Sequence, residues 1–235
     1  MKKRNVTKMS AIIAIPGLLY FVYVACSWSL ADIYARPVLN AARDWKKNEL
    51  VPTQEDWSRY QSSLDKALQH DPTNSEFYRT LGQVIEGPYR KYQLGDKEAL
   101  EARTTAAEYY RESIKLRPTW PYGYVDLALV KFRLLQIDDE FYDAMFASME
   151  YGPWEPDIQR VVSEIGMVLW NILEDREREF ILNIARQSFM HANKTHVRSM
   201  QRIVGQRHFL SRVCEKSKHN ADLLKYCDEK GGSAL

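Results

Sequence analysis

Apolar residues recur along this chain at steps of three and four, the period of helices that bury one face. Trp57, Tyr60, Leu64, Ala67 and Leu68 make the clearest series, and Thr53 followed by Asp56 marks its start. Asp71-Pro72-Thr73-Asn74 ends that series, and Ser75 opens another with Phe77, Tyr78, Leu81, Val84 and Ile85. Farther on, Glu174 to Phe189 reads as a helix and Thr195 to Arg212 as a final one. The pattern predicts an all-α chain.

The first thirty residues obey a different rule. Lys2, Lys3, Arg4 and Lys8 precede a run from Met9 to Leu30 with no charged residue. At 1.5 Å per residue those 22 residues reach about 33 Å, enough for a hydrocarbon core of about 30 Å. The basic flank stays cytoplasmic by the positive-inside rule, so the body after Ala31 is expected on the other side. Trp28 and Tyr34 fall where interfacial aromatics belong, and Pro16-Gly17 would kink a spanning helix without forbidding it. Two processed forms compete with an uncleaved anchor. Ser29-Leu30-Ala31 before Asp32 fits a signal-peptide cleavage site, and Ala25-Cys26 faintly resembles a lipoprotein site. Each exports the body, which in a bacterial cell means a periplasmic body, held on the inner membrane by a single pass where the anchor stays.

Two prolines set the spacing of the exported part. Behind Pro118 stand Ala106, Tyr110 and Ser113; ahead of it stand Tyr124, Leu127 and Ala128. Pro72 repeats the arrangement with Leu64 and Ala67 behind, and Tyr78, Leu81 and Gly82 ahead. These residues resemble the 34-residue tetratricopeptide (TPR) pattern, a helical hairpin that must stack on its neighbours. Pro72 and Pro118 are 46 apart, and the twelve extra residues sit at Gly87 to Glu98, an expected exposed loop extension that is either passive or, as repeat insertions often are, part of the binding face. Gly152, Ala144 and Ala147, then Ile165, Gly166 and Leu169, continue the pattern in weaker form. The expected organisation is a basic end (1–8), an anchor (9–30), a linker helix interrupted near Pro37 (31–52), TPR-like repeats (53–193) and a basic helical cap and tail (194–235).

The repeat resemblance implies a partner groove lined by Glu76, Arg79, Gln83, Tyr122, Leu129, Phe132, Arg160, Ser163, Met167 and Trp170. An apolar centre with charged ends suits a peptide or partner helix, although Leu129, Met167 and Trp170 equally fit a core. An anchor followed by Trp57, Ala67, Asp71-Pro72-Thr73-Asn74, Leu81-Gly82, Tyr109-Tyr110-Arg111-Glu112-Ser113 and Arg117-Pro118 resembles the VpsP-type TPR proteins of bacterial exopolysaccharide clusters. That resemblance implies an adaptor that binds proteins of polysaccharide synthesis or export, with the polysaccharide itself as a further candidate ligand. It carries no catalytic residues.

Charge and candidate chemistry change this picture little. A net charge of +2 gives no reason to expect nucleic acid, and no cofactor motif is present. The histidines (His70, His191, His196, His208, His219) are scattered and read as surface residues rather than metal ligands. Glu174 to Glu179 alternates acidic and basic residues like a solvated helix, and Asp138-Asp139-Glu140 reads as a helix cap. Cys214 has His208 nearby in sequence but no nucleophile motif, and the Asn193-Lys194-Thr195 sequon means little in a bacterial protein. Lys194, Arg198 and Arg202 recur every four residues as a cationic row that reads first as a solvated face, and that an anionic glycan or lipid headgroup would also suit. Readings from other classes are a glycan-binding module built on 14 Tyr and 6 Trp, a general envelope-assembly protein, and a helical glycosidase or lyase. With Cys26 inside the apolar run, Cys214 and Cys227 remain in the body as a candidate disulfide around a short helix near Asp222-Leu223-Leu224. A non-reducing mass spectrum of the mature protein should show Cys214 bonded to Cys227; two free thiols there would exclude the bridge.

Overall fold

A single helix, α1 (Lys2–Asn48), carries the uncharged run and continues well beyond it. The structure, a computed structural model, describes residues 2–48, 52–190, 193–206, 209–214 and 221–229. The described residues contain eleven α-helices and one 3-10 turn. Two compact units divide the chain, residues 1–118 and 119–235. Both are built from antiparallel helical hairpins that resemble TPR units.

In the first unit α1 pairs with α2 (Gln54–His70), and α3 (Ser75–Glu86) pairs with α4 (Leu100–Leu116). α1 does not break at Pro37. A proline inside a helix forfeits one hydrogen bond. Here burial of Ala31, Ala35, Val38 and Trp45 in the first unit's core holds the helix together around it. The expected linker is therefore the first helix of a hairpin. Trp45 meets Trp57 and Tyr60 at ring distances of 4.6 and 5.3 Å, while Tyr34 stacks on His70 at 5.8 Å. Those contacts make α1 and α2 antiparallel, with the C-terminal end of α2 beside Ser27.

Local signals place the helix starts. The Thr53 hydroxyl accepts from the Asp56 amide and the Asp56 carboxylate accepts from the Thr53 amide, a reciprocal cap for α2. Asn74 caps α3 through Glu76. Buried Ser75 donates to the Ser113 carbonyl at 2.9 Å, joining the start of α3 to the last turn of α4. Buried Tyr110 donates to Glu86 at 3.2 Å. Between the helices of that hairpin, the twelve extra residues begin as the 3-10 turn Gly87–Tyr89 and proceed through turns to α4.

The second unit pairs α5 (Pro121–Arg133) with α6 (Asp139–Tyr151) and α7 (Pro156–Val168) with α8 (Asp175–Ser188). Three further helices follow, α9 (Lys194–Gln206), α10 (Leu210–Cys214) and α11 (Ala221–Glu229). Asp138 caps α6 through the Phe141 amide at 3.0 Å. Lys131, only 2% exposed, donates to that same carboxylate at 2.9 Å and to Glu140. Partial burial pushes the Asp138 carboxyl upward, but the bonds from Lys131 and Phe141 outweigh it and leave it below its ordinary value. Sequence reading put the histidines on the surface; His196 corrects this, being buried. It lies 2.8 Å from Gln159, which also accepts from Ser188 and donates to the Pro153 carbonyl at 2.7 Å. That network satisfies polar groups on α7, α8 and α9 that would be costly to bury alone. His70 is half-buried, and His191, His208 and His219 lie outside the described residues.

Close approach within a hairpin depends on glycine. A Cβ on Gly82 would sit 2.7 Å from the Tyr110 ring, and Gly166 is crowded in the same way by Ile181. Gly82→Ala should destabilise the first unit by about 1–3 kcal/mol through overpacking. Tyr110→Leu in the same chain should recover part of that loss, read as non-additive urea midpoints in a double-mutant cycle.

Candidate functional site

The residues predicted to line a groove divide between the two units. On α3, Glu76 and Arg79 are half-buried and Gln83 is buried. In the second unit α5 and α7 are neighbours. Tyr122 and Leu129 on α5 and Arg160 on α7 are half-buried there, whereas Phe132, Ser163 and Met167 are buried. The covered positions expose little of their side chains at the surface. Tyr122 donates to Glu155 at 2.5 Å, and Arg160 pairs with Glu164 at 3.5 Å. Trp170 lies just beyond α7, packed on Phe209 at 4.9 Å with the guanidinium of Arg212 4.8 Å from its ring. These contacts join the end of α7 to α10.

Lys194, Arg198 and Arg202 are exposed on α9, one turn apart. Asn193 caps that helix, its side chain accepting from the amides of Thr195 and His196 at 3.0 and 3.2 Å. The Cys214–Cys227 disulfide joins α10 to α11 with Cα atoms 5.9 Å apart. Next to it Tyr226 packs on Phe189 and donates to the Gln201 carbonyl at 3.1 Å, so the terminal helix is tied into the second unit.

One concave feature of the first unit lies at the loop extension expected from the sequence. A cleft of about 300 Å³ opens between α2, the end of α3, the inserted segment and α4. Trp57, Ile85 and Tyr89 give it apolar walls; Gln61, Glu98 and Glu101 give it polar ones. The Glu98 carboxylate lies close enough to Tyr92 to raise that phenol's pKa. No lysine or arginine is among its lining residues, so the cleft suits a polar or positively charged group of a partner.

Its rim is held by Arg103. This side chain is only 1% exposed and donates to the carbonyls of Gln93 at 2.9 Å, Tyr92 at 3.0 Å and Tyr89 at 3.4 Å. The guanidinium fork reaches three carbonyls that an irregular loop would otherwise leave to water. Sequence reading missed this role; the available signal was an arginine at a helical position flanked by Ala99, Ala106 and Ala107, all buried. Among the described residues no group of three His, Cys, Asp or Glu side chains is placed to hold a metal ion.

This architecture defines the class of protein: an all-α chain of TPR-like hairpins preceded by an apolar helix long enough to cross a membrane. No family profile and no curated protein matches the chain. Among solved structures, the crystal structure of MamA protein is similar over 91% of this chain and 96% of its own, with a TM-score of 0.47 and 12% identity.

Replacing Arg103 by alanine should release the inserted segment while the helices persist. Trypsin should then cut at Arg90, Lys91 or Lys97 at least about tenfold faster, reflecting loss of hydrogen bonds worth about 1.5–3 kcal/mol each to a charged donor. An unchanged cleavage rate with unchanged circular dichroism would show that the insertion is held by other contacts.

Proposed function

We propose that the chain is a membrane-anchored adaptor whose helical hairpins bind protein partners on the non-cytoplasmic side of a bacterial inner membrane. The observation that carries this reading is the joining of an apolar N-terminal helix to hairpins of a kind that works by surface contact. α1 exposes Leu18, Leu19, Tyr20, Phe21, Val22 and Tyr23 to its surroundings, as a lipid-facing helix would. The Cys214–Cys227 bridge fits an oxidising compartment. Partners belonging to polysaccharide synthesis or export are the specific form of the proposal, resting on the resemblance to VpsP-type proteins. Anchoring would raise the effective concentration of the hairpin surfaces toward other membrane-bound components. No catalytic step is assigned to any residue.

A glycan-binding reading is favoured by one observation. Trp154 and Tyr151 are 58% and 42% exposed beside Gly152, and Tyr151 pairs with Tyr124 at 5.7 Å. Aromatic faces of this kind can stack on sugar rings.

Crosslinking in intact cells followed by capture from membranes distinguishes the two. The adaptor reading expects a polysaccharide polymerase, chain-length regulator or export channel to be recovered, and recovery to fall at least about tenfold on alanine substitution of Tyr122 and Arg160, a loss of about 1.4 kcal/mol or more. Recovery of polysaccharide alone, lost on Trp154→Ala, would replace the adaptor with a glycan-binding module. Recovery of unrelated envelope-assembly proteins would keep the adaptor and discard its polysaccharide role.

A further inference from the structure

The apolar run and the first hairpin share one helix without a break, which fixes how deep the hairpin sits. The Ser27 hydroxyl donates to the backbone carbonyl of His70 at 2.8 Å. His70 is the last residue of α2, so the turn Asp71-Pro72-Thr73-Asn74 begins level with Ser27. Eighteen residues separate Met9 from Ser27, about 27 Å of helix. A hydrocarbon core of about 30 Å that starts near Met9 therefore ends within a few ångströms of this turn.

The turn cannot enter hydrocarbon. Asp71 is charged, and Pro72 and Thr73 are exposed. It cannot leave the membrane surface either, because α1 is packed against α2 through Ala31, Ala35 and Val38 rather than joined by a flexible tether. On the side of α1 turned away from α2 Ile33 is 64% exposed, and Trp28, on the flank next to Ala31 and Ala35, is 58% exposed, so apolar surface persists to the level at which α2 ends. Interfacial character on one face and hairpin packing on the other occur along the same two turns.

We infer that the α2–α3 turn and the adjoining end of α4 are seated in the phospholipid headgroup layer of the bilayer that α1 spans. The inference rests on the membrane-anchor reading above. The Ser75–Ser113 bond brings the last turn of α4 to the same end, adding Lys115, Leu116 and Arg117. Leu116 is exposed between two cations, an arrangement suited to an apolar contact flanked by lipid phosphates. Lys66 lies over the Tyr34 ring at 5.8 Å, close to the same boundary. Asp71, Glu76 and Glu112 share this end, so the seat is set by the depth of α1 and not by an excess of positive charge.

The test uses the full-length protein in vesicles of phosphatidylethanolamine and phosphatidylglycerol. In a Cys26→Ser background, single cysteines replace Thr73, Gln54 or Leu19 and carry a fluorophore, and nitroxides are placed on lipid headgroups or acyl chains. Gln54 lies about 24 Å farther along α2 than its last residue. The headgroup nitroxide should quench the Thr73 probe at least about threefold more than the Gln54 probe, given that separation. The acyl-chain nitroxide should quench the Leu19 probe. Equal headgroup quenching at Thr73 and Gln54, with Leu19 quenched, would overturn the seat and leave the span standing. No quenching at Leu19 would overturn the span and the seat together.

Discussion

Everything in the first unit depends on the close approach of α1 and α2. Small side chains make it possible. Ala31 and Ala35 are almost fully buried along α1, so the two backbones can come together over Leu64 and Ala67. Trp45, Trp57 and Tyr60 fill the wider end beyond them. Because these contacts begin at Ser27, the packing extends into the uncharged run itself. The same residues thus form the end of an apolar helix and the start of a repeat, and no hinge is left between them. The packing that stabilises the hairpin also fixes its orientation to the run before it.

Two of the later hairpins, α3 with α4 and α7 with α8, solve the same packing problem with a glycine against a bulky partner. Gly82 faces Tyr110 and Gly166 faces Ile181, one pair in each unit. Loss of a Cβ lets the large side chain lie flat on the opposing helix, and burial of that chain offsets glycine's poor helix propensity. Tyr110 must also satisfy a hydroxyl, which Glu86 does from within the same hairpin. The polar interior of the second unit follows the same logic, with Gln159 serving Ser188, His196 and the Pro153 carbonyl together.

Legibility in the sequence tracked how local each determinant is. The starts of α2 and α6 were readable because Thr53, Asp56 and Asp138 cap helices through residues three positions away. Leu81-Gly82 and Ile165-Gly166 were readable because a fixed spacing carries them. The linker helix over 31–52 is expected to be interrupted because Pro37 is a strong local breaker, whereas what keeps it whole is tertiary: Ala31, Ala35, Val38 and Trp45 recur at helical spacing and need α2 to cover them. The expected groove positions differ in burial for a related reason. Repeat offsets name a helix face, but whether Gln83, Ser163 or Met167 is covered depends on neighbouring helices that no offset describes.

The inserted segment makes the same point from the other side. Gly87, Pro88, Gly95 and several charged residues read as an exposed loop extension, passive or part of a binding face, and local chemistry alone does not choose between them. What orders it is Arg103, which follows the loop in sequence and reaches back over ten to fourteen residues to its carbonyls. An arginine this deeply buried needs acceptors with defined positions, so the loop and the arginine stabilise each other. Trp57 lies under the beginning of the insertion, where a side chain on Gly87 would collide with its ring. The cleft bounded by Trp57, Tyr89, Glu98 and Glu101 is the space left when a twelve-residue insertion is held rigidly over α2 and α4. Its acidic, aromatic lining therefore follows from how the insertion is secured. That places the most distinctive surface of the first unit in the segment that departs from the repeat spacing, while the residues that obey the spacing mainly build its core.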